Sequence, residues 1–125
     1  MSDVKKIQEF TSGEEISFLI NLKNDTTGLD FDLTDYDEFK VCLPGEDDNP
    51  VEITHTLTDG SQVTVNGDAK NGQLKAVFSA QAASALIKTD DVMDVAVEIQ
   101  KSSETPRKPL RKVVKQMILV NPWPC

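Results

Sequence analysis

The stretch Val51-Glu52-Ile53-Thr54-His55-Thr56-Leu57-Thr58-Asp59-Gly60-Ser61-Gln62-Val63-Thr64-Val65-Asn66-Gly67 decides the fold. Val51, Ile53 and Leu57 share one parity with His55, the pattern stops at Asp59-Gly60, and Val63 and Val65 resume it before Asn66-Gly67. A two-residue period sends alternate side chains to opposite faces of an extended chain. Asp-Gly and Asn-Gly supply the left-handed backbone that tight turns between strands require. The stretch therefore reads as strand, turn, strand, and the same pattern extends in both directions.

Upstream, Phe39, Val41 and Leu43 alternate until Pro44-Gly45 and the acidic Glu46-Asp47-Asp48-Asn49-Pro50 loop end the run. Before them Ile16, Phe18, Ile20 and Leu22 alternate with Ser17, Leu19 and Asn21. Leu19 makes that strand apolar on both faces in its middle, which predicts a central position. A short strand is expected around Ile7 to Phe10, and Asn24 to Asp37 reads as a loop with a clipped strand at Leu29, Phe31 and Leu33. Downstream, Asn71-Gly72 repeats the turn chemistry of Asp59-Gly60 and Asn66-Gly67, which predicts an antiparallel meander leading to Leu74, Ala76 and Phe78. The period then changes. Ser79 is an N-cap residue, and the Ala-rich run to Ile87 predicts one short helix. Met93, Val95, Val97 and Ile99 form the next strand, residues 102–109 a hairpin loop, and about Leu110 to Val120 the last strand.

Short strands with frequent turn signals and one crossing helix predict an all-β fold, an immunoglobulin-like antiparallel β-sandwich of about seven strands. A chain of 125 residues supports one such core. The expected division is a sandwich over residues 1–120 and an extended tail over 121–125. Cys42, inside an apolar alternation, is read as a buried core thiol and Cys125 as a loose terminal one; two cysteines do not make a disulfide framework. With the only tryptophan, Trp123, in the tail, stability must come from apolar packing.

The formal net charge of −8 opposes approach to phosphate backbones and anionic bilayers, so neither nucleic acid nor membrane is an expected partner. The N-terminal Met-Ser-Asp-Val-Lys-Lys lacks the apolar core of a signal peptide. Chemistry finds no footing. His55 is the single histidine, and no Gly-x-Ser-x-Gly elbow, phosphate loop, Cys/His metal spacing or dinucleotide fingerprint accompanies it. Asp30, Asp32, Asp35 and Asp37, with Glu46, Asp47 and Asp48, raise the question of calcium. The EF-hand spacing fails for want of Gly at the sixth position and Glu at the twelfth, so solvated acidic loops are expected, with neither metal nor cofactor.

Two features point instead to contacts with other proteins. In the tail Asn121-Pro122-Trp123-Pro124-Cys125, Pro122 and Pro124 stiffen an extended chain around Trp123, the side-chain type most enriched at binding hot spots. The alternative is that Trp123 folds back over an open end of the sandwich. The second feature is the basic cluster Arg107, Lys108, Arg111, Lys112 and Lys115, five of the thirteen basic residues within nine positions. It can steer an acidic partner, or serve as a solvated hairpin whose charges keep an edge strand from aggregating.

The order of features also resembles a known family. Phe10-Thr11-Ser12-Gly13-Glu14-Glu15-Ile16, an alternating strand, and then Asp32-Leu33-Thr34 look like the start of the immunoglobulin-like domains at the N-terminus of phage baseplate upper proteins. Gly72, Leu74, Phe78, Ala80, Asp90, Val95 and Val97 occupy the places of that family's later strands and Ala-rich turn, and the last strand ends before Asn121-Pro122. Two positions depart from the pattern: Thr89 stands where a Gly usually precedes the Asp, and Gly28-Leu29-Asp30-Phe31 replaces a Gly-x-Pro. The resemblance implies a non-catalytic structural protein of a tailed bacteriophage particle, in its baseplate, tail or neck. Such a protein is made in the host cytoplasm, resides in the virion and touches other virion proteins or copies of itself. A capsid decoration protein and a ligand-binding sandwich of carbohydrate-binding or adhesin type are the alternatives.

Overall fold

In the computed structural model of the chain, residues 8–88 and 92–121 are described. Eight strands form among them: β1 (Gln8–Thr11), β2 (Ile16–Asn21), β3 (Glu38–Leu43), β4 (Val51–Thr54), β5 (Gln62–Val65), β6 (Gln73–Phe78), β7 (Val92–Gln100) and β8 (Leu110–Asn121). One helix, α1 (Ala80–Ser84), joins β6 to β7. Ser79 caps it by accepting a hydrogen bond from the Ala82 amide at 3.2 Å, as the sequence led one to expect.

The strands divide into a five-stranded sheet of order β1-β8-β7-β3-β4 and a three-stranded sheet of order β2-β6-β5. That arrangement is an all-β, immunoglobulin-like sandwich. The inner faces carry the residues whose alternation marked the strands. Phe39, Val41, Leu43, Val95, Val97 and Ile99 from the larger sheet meet Ile16, Phe18, Ile20, Leu74, Ala76 and Phe78 from the smaller, all buried. The Phe18 and Phe78 rings stack within this core with centroids 6.0 Å apart. Leu22, Leu33, Ala83 and Leu86, from the loops and the helix, are buried in the same cluster.

Four expectations need correction. The sandwich is not wholly antiparallel, because β1 runs parallel to β8 with Gln8 opposite Ile118 and Thr11 opposite Asn121. The chain can make that pairing because β1 and β8, its first and last described strands, are not joined by a direct hairpin. Asp59-Gly60 is a tight turn, but the strands on its two sides lie in different sheets, so it carries the chain from β4 to β5 and is no meander hairpin. Leu57 consequently lies on the corner, 65% exposed, beyond the end of β4. β2 is an edge strand, with β6 as its only sheet neighbour among the described residues, and Leu19 on its outer face is 40% exposed. Cys42 lies on the outer face of β3, opposite in parity to the buried Val41 and Leu43, and is only half-buried.

Smaller differences concern lengths. Residues 24–37 form the expected loop, but in place of a clipped strand at Leu29, Phe31 and Leu33 there is only an isolated bridge between Lys23 and Asp30. The last strand runs one residue past Val120, since Asn121 still pairs with Thr11. No helix among the described residues is long and apolar enough to cross a membrane.

Candidate functional site

The β7–β8 hairpin carries the basic cluster, and its alternation distributes the cluster over two faces. Arg111 and Lys115 project from the outer face of the larger sheet, together with Val113, which is 65% exposed. Lys112 shares parity with the buried Ile118 and Val120, so it lies along the inner side, and its side chain is only 12% exposed. Arg107 and Lys108 stand exposed on the connecting loop.

Four of the five cations meet a carboxylate of the same chain. Arg111 Nε donates to Glu98 Oε2 on the adjacent strand at 2.8 Å. Lys115 Nζ lies 3.1 Å from Asp94 Oδ1, its cross-strand neighbour. Lys112 Nζ reaches Asp25 Oδ2 at 3.0 Å and sits 5.5 Å from the Phe31 ring centroid. Arg107 Nε lies 3.3 Å from Glu38 Oε1. That Glu38 oxygen is buried and accepts no aligned hydrogen bond among the described residues, so the guanidinium compensates it by charge alone. Lys108 makes no ion pair among the described residues.

These pairs set the local electrostatics. The hydrogen bond from Arg111 holds the Glu98 carboxyl below its ordinary range against the opposing cost of burial, and Lys40 adds a lesser lowering. Across the outer face, Arg111, Glu98 and Lys40 form a row of alternating charge on neighbouring strands. Beside it Val113, Ala96 and Cys42 form an apolar row, and the two line a shallow groove of about 230 Å³.

The proposed tail contacts Pro122, Trp123 and Pro124 lie outside the described residues, and so does Cys125. Several of the acidic positions are engaged locally. Asp32 Oδ1 accepts from the Thr34 amide at 2.9 Å, Asp37 Oδ1 accepts from the Ser102 amide at 2.8 Å, and Lys88 pairs with Glu46. Among the described residues no three His, Cys, Asp or Glu side chains come together as a metal-binding group. His55 Nδ1 accepts the Phe39 amide at 3.2 Å, so that ring nitrogen holds a strand in place.

The sequence reading did not find an open side of the sandwich, between β8 and β2. β1 covers β8 only over Ile118 to Asn121, and residues 110–116 of β8 have no strand partner on that edge among the described residues. The facing edge strand β2 does not close the gap. Asn21, Leu22, Lys23 and Asp25 from one wall and residues 111–115 from the other line a groove of about 470 Å³.

By architecture the chain is a small immunoglobulin-like β-sandwich. The fold is similar to that of the N-terminal domain of phage TP901-1 ORF48, with a TM-score of 0.54 and 14% identity over 93% of this chain and 85% of that one. A DUF4785 family protein from Legionella pneumophila gives a TM-score of 0.44 at 10% identity, over 90% of this chain and 26% of that one. No protein-family model matches the chain, and no curated protein matches its sequence.

Proposed function

We propose that this domain is a non-catalytic structural module of a tailed-bacteriophage particle, in its baseplate, tail or neck, and that it works through protein–protein contacts. The observation that carries this reading is the fold shared with a phage domain over 93% of the chain. The order of sequence features from Phe10 to Val120, read independently, points the same way. The site chemistry is compatible: polar and charged residues engage each other across a rigid sheet, which suits orienting a partner more than transforming one. Residence in the virion, and contacts to other virion proteins or to copies of itself, follow from the same reading.

The test is recovery of the chain from purified, nuclease-treated particles separated into head and tail fractions, read by mass spectrometry. Presence in stoichiometric amount with the tail fraction is the expected result. Recovery only with heads would replace the reading with capsid decoration, and absence from particles would end it.

A further inference from the structure

We infer that the open edge of β8 from Arg111 to Lys115 is a docking edge for an extended acidic segment of a neighbouring protein, which adds to the larger sheet as a further strand. The inference deepens the reading of the domain as a contact module and rests on it.

The backbone carries the argument. Asp37 N donates to Gln100 O, so the even residues of β7 turn their amides toward β3 and the odd ones toward β8. Ile99, Val97 and Val95 therefore bond with Leu110, Lys112 and Val114. Arg111, Val113 and Lys115 are left with their N–H and C=O groups directed away from β7. The far end of the strand gives the same parity, because Asn121 O accepts from Ser12 on the β1 side. Six backbone groups in a row thus lack a backbone partner among the described residues, at the spacing of a strand template.

Edge strands in natural sheets are usually short, twisted away or capped. This one keeps an unbroken register with β7, Leu110 to Met117 lying opposite Ile99 to Val92, and a groove lies beside it. The groove's side chains choose the occupant. Lys23, Arg111, Lys112 and Lys115 line it against the single carboxylate of Asp25, on a chain whose net charge is −8. Arg111 and Lys115 are 77% and 75% exposed on their side chains, and exposed pairs such as theirs with Glu98 and Asp94 contribute little, so each can take a second carboxylate.

Two other occupants fit less well. A second copy pairing antiparallel about Val113 would set Arg111 opposite the second copy's Lys115, like charge against like. Residues 1–7 of the same chain, carried on from the pairing of Gln8 with Ile118, would set Lys5 opposite Lys115, again cation against cation.

The probe is a synthetic nine-residue peptide alternating valine and glutamate, compared with one alternating valine and lysine. The full chain is expected to bind the acidic peptide at least tenfold more tightly, and to gain hydrogen-exchange protection at the amides of Arg111, Val113 and Lys115. Val113→Pro removes the central outward N–H without touching the β7 ladder. It should cut affinity at least tenfold with little change in thermal midpoint. Arg111→Glu with Lys115→Glu should remove the preference for the acidic peptide.

Absence of binding, equal binding of both peptides, or undiminished binding by a folded Val113→Pro chain would each overturn the inference. So would protection of those three amides in the free protein at monomer or dimer mass, since the edge would then already be filled. None of these failures touches recovery of the chain from tail fractions, which tests the reading beneath.

Discussion

Gln116 of β8 reaches across the open side of the sandwich and donates its side-chain amide to the backbone carbonyl of Leu19 in β2, at 3.1 Å. Leu22 donates to Gly72 on the β6 side, so the odd residues of β2 face away from β6 and the Leu19 carbonyl belongs to the strand's free edge. One side chain therefore ties together the two sheets where no strand does. Gln116→Ala should lower unfolding free energy by about 1 kcal/mol, the usual net worth of such a bond. Urea denaturation measures it, and exchange should quicken locally at the β2 amides. An unchanged denaturation midpoint would mean that water replaces the bond at no cost.

Gly72 governs how the smaller sheet ends. Its φ of +64° is left-handed, and a methyl group there would come within 2.7 Å of the carbonyl oxygens of both Leu22 and Phe31. The Leu22 oxygen belongs to the bond that pins the end of β2 to the following loop, with Phe31 N donating to it at 3.0 Å. Gly72→Ala should cost about 3 kcal/mol, combining backbone strain with displaced hydrogen bonds. Gly67 separates the two contributions, since its φ is +70° but nothing lies within 4 Å of an added methyl. Gly67→Ala should cost only about 1 kcal/mol, and equal losses at the two sites would refute the steric account.

Acid stability should reflect three depressed carboxyls. The Glu98 pKa is lowered first by Arg111, that of Asp37 by its bonds from Ser102, and that of Asp32 by its bonds from Thr34. A folded-state pKa below the unfolded value means that the unfolded chain binds the proton more readily. Each contribution is present above the unfolded carboxyl range of about 4 and is lost as pH falls through the folded value. Unfolding free energy should therefore hold steady above about pH 5 and decline below about pH 4. Arg111→Met should make the acid decline shallower by returning Glu98 toward its ordinary range. An identical pH profile for the variant would show that the Arg111 contact is too well solvated to matter.

The faces of the strands were legible in the sequence, and their neighbours were not. Period-2 alternation marked Phe18, Val41, Leu74 and Val97 as inward, and all four are buried. Alternation says nothing of which strand lies alongside, so Leu19, apolar in both readings, was placed centrally when β2 is an edge. Asp-Gly chemistry specifies a tight turn whether the chain returns within its sheet or leaves it, which is why Asp59-Gly60 passed for a hairpin. Cys42 sat among apolar residues in sequence yet has the parity of Lys40, which points outward. The basic cluster was visible as a count of charges. Its partners were not, because Lys112 and Asp25 are 87 residues apart and meet only through the packing of the two sheets. The open edge of β8 was invisible for the same reason: among the described residues it exists because β1 pairs only with Ile118 to Asn121.

Cys42 offers a sharp probe of the outer face. Burial is the largest influence on its thiol and raises the pKa, the nearby Glu52 carboxylate raises it further, and Lys40 opposes them. The Glu52 Oε2 lies 3.8 Å from Sγ, directly across from β3 on β4. Only the thiolate alkylates, so at pH 8 the reactive fraction should be smaller than for an ordinary cysteine. In a Cys125→Ser background, Glu52→Gln should speed reaction with iodoacetamide severalfold by removing the neighbouring negative charge, and Lys40→Met should slow it. Measuring rate against pH separates the causes: a shift of the midpoint with a constant plateau belongs to charge, and a change of plateau belongs to access. If Glu52→Gln alters the plateau and leaves the midpoint in place, burial alone sets the thiol, and the carboxylate acts only as a steric neighbour.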